Sequence, residues 1–343
     1  MPLPLSRTYA PMEAQLVDEL PVGRAWQYEP KWDGFRCLAF RDGSRIDLRS
    51  KAGKPLARYF PDIVATLQAL TAKRFVLDGE IVVPHDGGLS FDELLQRIHP
   101  AQSRVTKLAA EHPATLVVFD LLVDARGKSL VAEPLATRRA ALERFVDASV
   151  PEGTRIILSP VTRRMPTVEK WLRSIGGGLD GIVAKRIDAP YASGERSAMQ
   201  KVKAMRTADC VVGGFRYASK APIVGSLLLG LYDDEGLLHH VGFTSNIPRE
   251  EKAALTKKLE KLVKPPGFTG QAPGGPSRWS TARSSEWKPL RPTLVVEVRF
   301  DHFSGGRFRH GTKFLRWRPD KAPRQCTMEQ VWREERSALT LAR

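Results

Sequence analysis

Two apolar runs constrain this chain most. Residues 75–83 (FVLDGEIVV) and 116–123 (LVVFDLLV) are short, rich in branched apolar residues and nearly unbroken. That pattern reads as largely buried strands, and residues 181–185 (GIVAK) read as a third, shorter one. The first run also carries Asp78 and Glu80. Carboxylates flanked by Val76, Leu77, Ile81 and Val82 need a partner or a task, because burying them unpaired is costly. The alternative is a strand-end turn with solvated acids.

Helices separate these strands. Pro61 opens one with Ile63, Leu67 and Leu70 on a single face, and Ser90 with Glu93 forms a capping box ahead of Leu94, Leu95 and Ile98. Thr137 precedes a third through Leu142 and Phe145. In a fourth, Val168, Leu172 and Ile175 face one way before Gly176 stops it.

The texture changes after Ala204. Three strand-like runs follow, 210–217, 226–232 and 237–244, the last two joined by the turn Asp233-Asp234-Glu235-Gly236. Pro248 begins a charged helix with Leu255, Leu259 and Leu262 inward. A Pro/Gly/Ser-rich loop covers 265–285, and two more strands span 293–303 and 313–318. Three strands, a helix and two strands is the order of an OB-fold, a small five-stranded barrel. With 343 residues there is room for about two domains. The expected boundaries are 1–205, 206–325 and a tail over 326–343, and the fold class is α+β.

Hydrophobic residues make up 42% of the chain, enough for packed cores and against general disorder. Lys and Arg total 54 against 38 Asp and Glu, a net charge of +16 that points to polyanions. The charge is spread along the chain, which reads as a globular surface with basic tracts rather than a disordered arm; by itself it fits a solvated face almost as well. Cys37, Cys210 and Cys326 lie far apart, in no CxxC pair, which suits a reducing cytosol. No run reaches the length of a membrane span, and the start lacks the apolar core of a signal peptide. The expectation is a soluble cytoplasmic protein with no membrane association.

The sharpest chemical signal is Glu29-Pro30-Lys31-Trp32-Asp33-Gly34-Phe35-Arg36. A lysine attacks phosphorus or an acyl carbon only as the neutral amine, a form that neighbouring cations and desolvation favour. Asp33-Gly34 supplies a tight turn, and Arg36 suits a phosphate or ribose. For an arbitrary KxDG, an exposed lysine beside a turn is the commoner outcome. Arg49-Ser50-Lys51-Ala52-Gly53 is a basic turn suited to a phosphate, or a surface loop. Phe119 offers a face for a base, although a strand phenylalanine is more often core. Asp180 sits at a strand start. Lys201-Val202-Lys203 alternates, so a strand sends both ammonium groups to one face, where they repel unless an anion lies between them.

KWDGFR, RSKAG, LDGE, FDLL, DGIVAK, KVK and the late Arg318-Pro319-Asp320-Lys321 together resemble the ordered motifs of the covalent nucleotidyltransferases. They are most similar to the ATP-dependent DNA ligases, in particular the small bacterial C type and the ligase domain of bacterial ligase D. The likeness continues through 206–214 (RTADCVVGG) and 308–312 (FRHGT), covering nearly the whole chain. It implies a nucleotidyltransferase (adenylation) domain of ATP-grasp-like antiparallel sheets with helices, followed by a C-terminal OB-fold β-barrel.

The resemblance also implies roles. Lys31 attacks the α-phosphate of ATP and becomes lysyl-AMP; Glu29 accepts from the adenine amino group and Phe119 stacks on the ring. Arg36 and Glu80 hold the ribose. Arg49 contacts phosphate, Arg196 is a further phosphate ligand, and Lys201 and Lys203 neutralise the α-phosphate. Glu80 and Asp180 sit at Mg²⁺ (or Mn²⁺). Arg318, Asp320 and Lys321 orient the departing pyrophosphate. AMP then passes to the 5′-phosphate of nicked duplex DNA, and the 3′-hydroxyl seals the nick. The implied setting is DNA repair at the bacterial nucleoid by a monomer, alongside repair polymerases or end-binding proteins.

Two positions depart from the wider ligase pattern: Asp180 where Glu is usual, and Met199 where an aromatic is common. Both are marks of the C-type subset. The competing readings are an RNA ligase or mRNA-capping-type enzyme, which share KxDG, and a non-catalytic basic protein containing an OB-fold.

Overall fold

A computed structural model describes residues 2–85, 88–173, 179–203, 205–219, 221–274 and 286–331. The chain divides after residue 204 into two compact units.

The first unit holds two main sheets. One runs in the order β1 (Gln15–Leu16), β11 (Met199–Lys203), β10 (Leu179–Arg186), β2 (Trp26–Trp32). The other runs β4 (Arg45–Ser50), β3 (Phe35–Asp42), β5 (Arg74–Val82), β8 (Thr115–Val123), β9 (Ile156–Leu158). A short pair, β6 (Pro84–His85) and β7 (Gly88–Leu89), follows β5. Both apolar runs are thus central strands, and β8 is buried along its whole length.

The sheets are largely antiparallel, with two exceptions. β1 is parallel to β11, and β9 is parallel to β8. The second follows from the α4 helix (Leu135–Ser149) between β8 and β9, which gives the chain the crossover that parallel strands need.

The helices begin where local chemistry allows. Pro61 starts α1 (Pro61–Ala69), which buries Ile63 and Leu67. Ser90 accepts from the Glu93 amide at 3.2 Å and starts α2 (Phe91–Gln96), while the Glu93 side chain turns to Gln96 instead of completing the capping box. In α5 (Met165–Arg173) Val168 and Trp171 are buried; Ile175 and Gly176 lie outside the described residues. A helix absent from the sequence expectations, α3 (Gln102–Glu111), has no side-chain cap at Ala101.

The second unit has one long central strand, β12 (Arg206–Ala218). Its sheet runs β14 (Leu238–Thr244), β13 (Ala221–Tyr232), β12, β16 (Val295–Phe300), β19 (Lys313–Trp317), and β15 (Lys288–Pro289) also pairs with β12. The order of strands is that of the expected OB-fold, but the sheet is not closed into a barrel. Among the described residues a single parallel bridge, Thr244 to Thr312, joins the two ends, held by Thr244 Oγ1 donating to the Thr312 carbonyl at 3.0 Å. Next to that bridge, the hairpin of β17 (Phe303–Ser304) and β18 (Arg307–Phe308) lays Phe308 against Gly242 of β14. The charged helix α6 (Lys252–Glu260) starts after Pro248, not at it, and buries Leu255 and Leu259. Of the 265–285 loop, 275–285 lie outside the described residues, as do 332–343 of the expected tail. No helix among the described residues is long and apolar enough to cross a membrane.

Candidate active site

Strand alternation builds the floor of a cleft. In β2, Gln27, Glu29 and Lys31 share one face. The ladders set Lys31 opposite Gly181 and Gly181 opposite Lys203; Glu29 lies opposite Val183, and Val183 opposite Lys201. Lys201 and Lys203 therefore do share the face expected of them. Gly181, with φ +148°, sits where an added Cβ would come within 2.0 Å of the Val202 carbonyl. Only glycine lets β10 and β11 approach so closely there.

The second sheet supplies the opposite wall. The cleft is lined by Glu29, Lys31, Lys185 and Lys201 from one sheet and by Arg36, Glu80 and Phe119 from the other, with Lys51 and the segment 11–14 at its margin. Two further features are bulges. Asp180 is the unpaired residue between the Leu179–Trp32 and Gly181–Lys31 pairs, and Phe119 is unpaired between Val118–Gly79 and Asp120–Asp78. A bulge re-aims its side chain, and here it turns both residues to the site.

Lys31 Nζ donates to Asp180 Oδ2, and Lys203 Nζ stands 3.9 Å from the same oxygen. Sequence reasoning anticipated cations around Lys31; its immediate partner is an anion, with the cations next beyond. Burial, then Lys31, Lys51 and Lys203, lower the pKa of the Lys201 ammonium.

Asp78 answers the question its sequence position raised. It is fully buried and accepts from Arg36 Nε and Nη2, both at 2.6 Å, and from the Tyr191 hydroxyl at 2.6 Å. Arg36 is thereby fixed in a bidentate fork, its guanidinium 4.7 Å from the centre of the Phe119 ring. Tyr191 also accepts from the Met12 amide at 3.0 Å, which ties the 11–14 segment to the same network.

Glu80 lies opposite Arg36 in the ladder, and its carboxylate makes no hydrogen bond among the described residues. Burial raises its carboxyl to about 7, against the pull of Arg36 and Lys31. No group of three metal-ligating side chains occurs among the described residues. A carboxylate with spare oxygens beside bound phosphates is nonetheless a donor set that Mg²⁺ accepts, since it commonly takes one or two carboxylates and fills the rest with phosphate and water.

Arg49 and Arg196 are not among the residues that line the cleft. Arg49 binds Asp47, two residues along the same strand face, at 2.9 and 2.8 Å and does not line the cleft. Arg196 is exposed and paired with Glu13 at 3.0 Å. Arg318, Asp320 and Lys321 belong to the second unit, where Arg318 and Lys321 meet Asp209 and Asp320 pairs with Arg318.

Two residues of the site carry no role in the sequence reading. Lys185, the last residue of the GIVAK run, binds Glu29 at 2.7 Å and lies 4.4 Å from the Phe119 centroid. Its signal is the alternation that puts it on the Val183 face. Lys51, in the RSKAG turn, lines the cleft and reaches Glu13 at 3.0 Å.

The family model described as "ATP dependent DNA ligase domain" matches residues 11–203, and that of the "ATP dependent DNA ligase C terminal region" matches 220–321. The chain is 44% identical to DNA ligase C2 of Mycolicibacterium smegmatis, over 96% of each protein. It is 42% identical to DNA ligase C of Mycobacterium tuberculosis, over 97% of this chain and 96% of that one. Among solved structures it resembles mycobacterial DNA ligase D complexed with ATP and MES, at 27% identity and a TM-score of 0.50, covering 96% of this chain and 99% of that one.

Proposed function

The chain belongs to the ATP-dependent DNA ligases, and from that membership we propose how its own residues perform the reaction. The observation that carries the reading is the contact of Lys31 with Asp180 on the floor of a cleft that Arg36, Lys51, Lys185 and Lys201 also line.

Lys31 is the nucleophile. Its amine attacks the α-phosphorus of ATP, the bond to the pyrophosphate oxygen breaks, and AMP remains on Nζ through a P–N bond. Asp180, already in contact with Nζ, is the group placed to take the proton. Lys201 and Lys203, on the same face, neutralise the phosphates, and Lys51 stands at the cleft margin where a phosphate tail would pass. Nucleotidyl transfer asks for little else than in-line positioning and charge neutralisation.

The base belongs near Phe119. Glu29 accepts from Lys185 and from Gln27 Nε2 at 3.0 Å, and its remaining lone pairs suit an adenine amino group. Arg36 and Glu80 lie beside one another for the ribose. Mg²⁺, when bound, supplies positive charge to the phosphate oxygens, and Glu80 is the carboxylate that fits it. Lys31 carries no positive charge once the P–N bond has formed, and Asp180, after passing its proton to solvent, is a carboxylate free for the same duty. Arg318, Asp320 and Lys321 meet the pyrophosphate.

The acceptor is nicked duplex DNA, consistent with the net charge of +16. The setting we propose is DNA repair in the cytoplasm at the nucleoid, by a monomer working beside repair polymerases or end-binding proteins. Competition assays test the substrate reading: nicked DNA outcompetes nicked RNA, and ATP outcompetes GTP. The reverse preference in either assay contradicts it.

A further inference from the structure

In the second unit, Arg318 is saturated by carboxylates. Its Nη1 donates to both oxygens of Asp209 at 2.9 and 3.1 Å, while Nε and Nη2 donate to Asp320 at 3.0 and 2.8 Å. Lys321 Nζ stands 3.4 Å from Asp209 Oδ2. Asp320 comes from the same turn as the cations and is largely exposed; Asp209 comes from β12 and is buried. Asp209 is itself clamped. Its amide donates to Gln330 Oε1 at 3.0 Å, and its carbonyl accepts from Gln330 Nε2 at 3.2 Å.

A guanidinium on a turn has many rotamers, and one gripped by a fixed carboxylate has few. We infer that Asp209 is a positioning residue that holds Arg318 and Lys321 together as one cationic pair for the pyrophosphate. The inference rests on the proposed role of Arg318 and extends it to a residue that touches no substrate. Asp209 is the one carboxylate that both cations share, whereas Asp320 serves Arg318 alone. The grip belongs to the step that expels pyrophosphate and not to the sealing step.

The test separates those steps. Lysyl-AMP formation from ATP and Mg²⁺ is measured at subsaturating ATP; sealing is measured on a nick already carrying AMP on its 5′-phosphate. Asp209→Asn slows the first by roughly ten- to a hundredfold, the scale of a hydrogen bond to a charged group, and changes sealing by less than about twofold. Gln330→Ala, which frees Asp209 without removing its charge, gives a smaller loss in the same step. It keeps the test available if Asp209→Asn folds poorly. Equal losses in both steps, or none, overturn the inference. Arg318→Ala is the control: its slow adenylylation beside a normal Asp209→Asn rejects the inference alone. Normal adenylylation by Arg318→Ala rejects the role of Arg318 and the inference with it.

Discussion

The ammonium of Lys185 lies 2.7 Å from the carboxylate of Glu29, and both residues are more than nine-tenths buried. The same ammonium lies over the Phe119 ring. Glu29 is thus held at the place proposed above for reading the base. Removing one partner of a buried ion pair leaves an uncompensated charge. Lys185→Met should therefore destabilise the first unit by about 3–5 kcal/mol, measured by urea unfolding. Adding Glu29→Gln should recover most of that loss, and a double variant no more stable than Lys185→Met contradicts the pairing argument.

Tyr191 joins two parts of the site through one hydroxyl, donating to Asp78 and accepting from Met12. Tyr191→Phe keeps the ring but leaves Asp78 one donor short. A cost of about 1–3 kcal/mol follows, with a severalfold rise in KM for ATP because the 11–14 segment lines the cleft. Unchanged stability and KM would show that Arg36 alone satisfies Asp78.

Glu80 couples stability to pH. Its carboxyl is held at about 7 in the folded chain against an ordinary 4.5, so the folded state keeps a proton that the unfolded chain has lost between those values. The stabilisation from that proton is complete below the ordinary value and disappears as pH rises through the folded one. Metal-free protein should lose up to about 3 kcal/mol across that window, and Glu80→Gln should remove this part of the slope. Binding of Mg²⁺-ATP should move oppositely, tightening as the carboxylate forms. Denaturation in EDTA across the pH range tests the first claim, and a slope unaltered by Glu80→Gln contradicts it.

Gly181 carries a backbone requirement. With φ +148° and a Cβ destined to strike the Val202 carbonyl, Gly181→Ala must spread β10 from β11 or distort the bulge that aims Asp180. A loss of more than about 2 kcal/mol is expected, with adenylylation falling further than stability alone explains. A fully stable, fully active Gly181→Ala variant would show that the close strand approach is dispensable.

The elements with strong local signals were legible in the sequence. β5 and β8 announce themselves by nearly unbroken apolar runs, and α1 by Pro61 and its apolar face. The face shared by Lys201 and Lys203 follows from alternation alone. α3 was missed because no side chain caps it and Pro100 precedes it as a loop signal. The roles of Arg49 and Lys51 turn on which way a turn leaves its strand. Asp47 claims Arg49 on its own strand face, while Lys51 lies beyond the strand end and reaches the cleft. The bulges at Phe119 and Asp180 depend on register between distant strands, which no single run of residues states. The ends of the second unit's sheet meet, among the described residues, through the Thr244–Thr312 bridge alone, a long-range contact that strand order does not state.

The central claim is that Lys31 becomes covalently joined to AMP. Protein incubated with Mg²⁺ and α-labelled ATP, then denatured and analysed by peptide mass, should carry one AMP on the peptide containing Lys31, and Lys31→Ala should carry none. Labelled protein with the AMP on another residue, or folded wild-type protein with no label, contradicts the account.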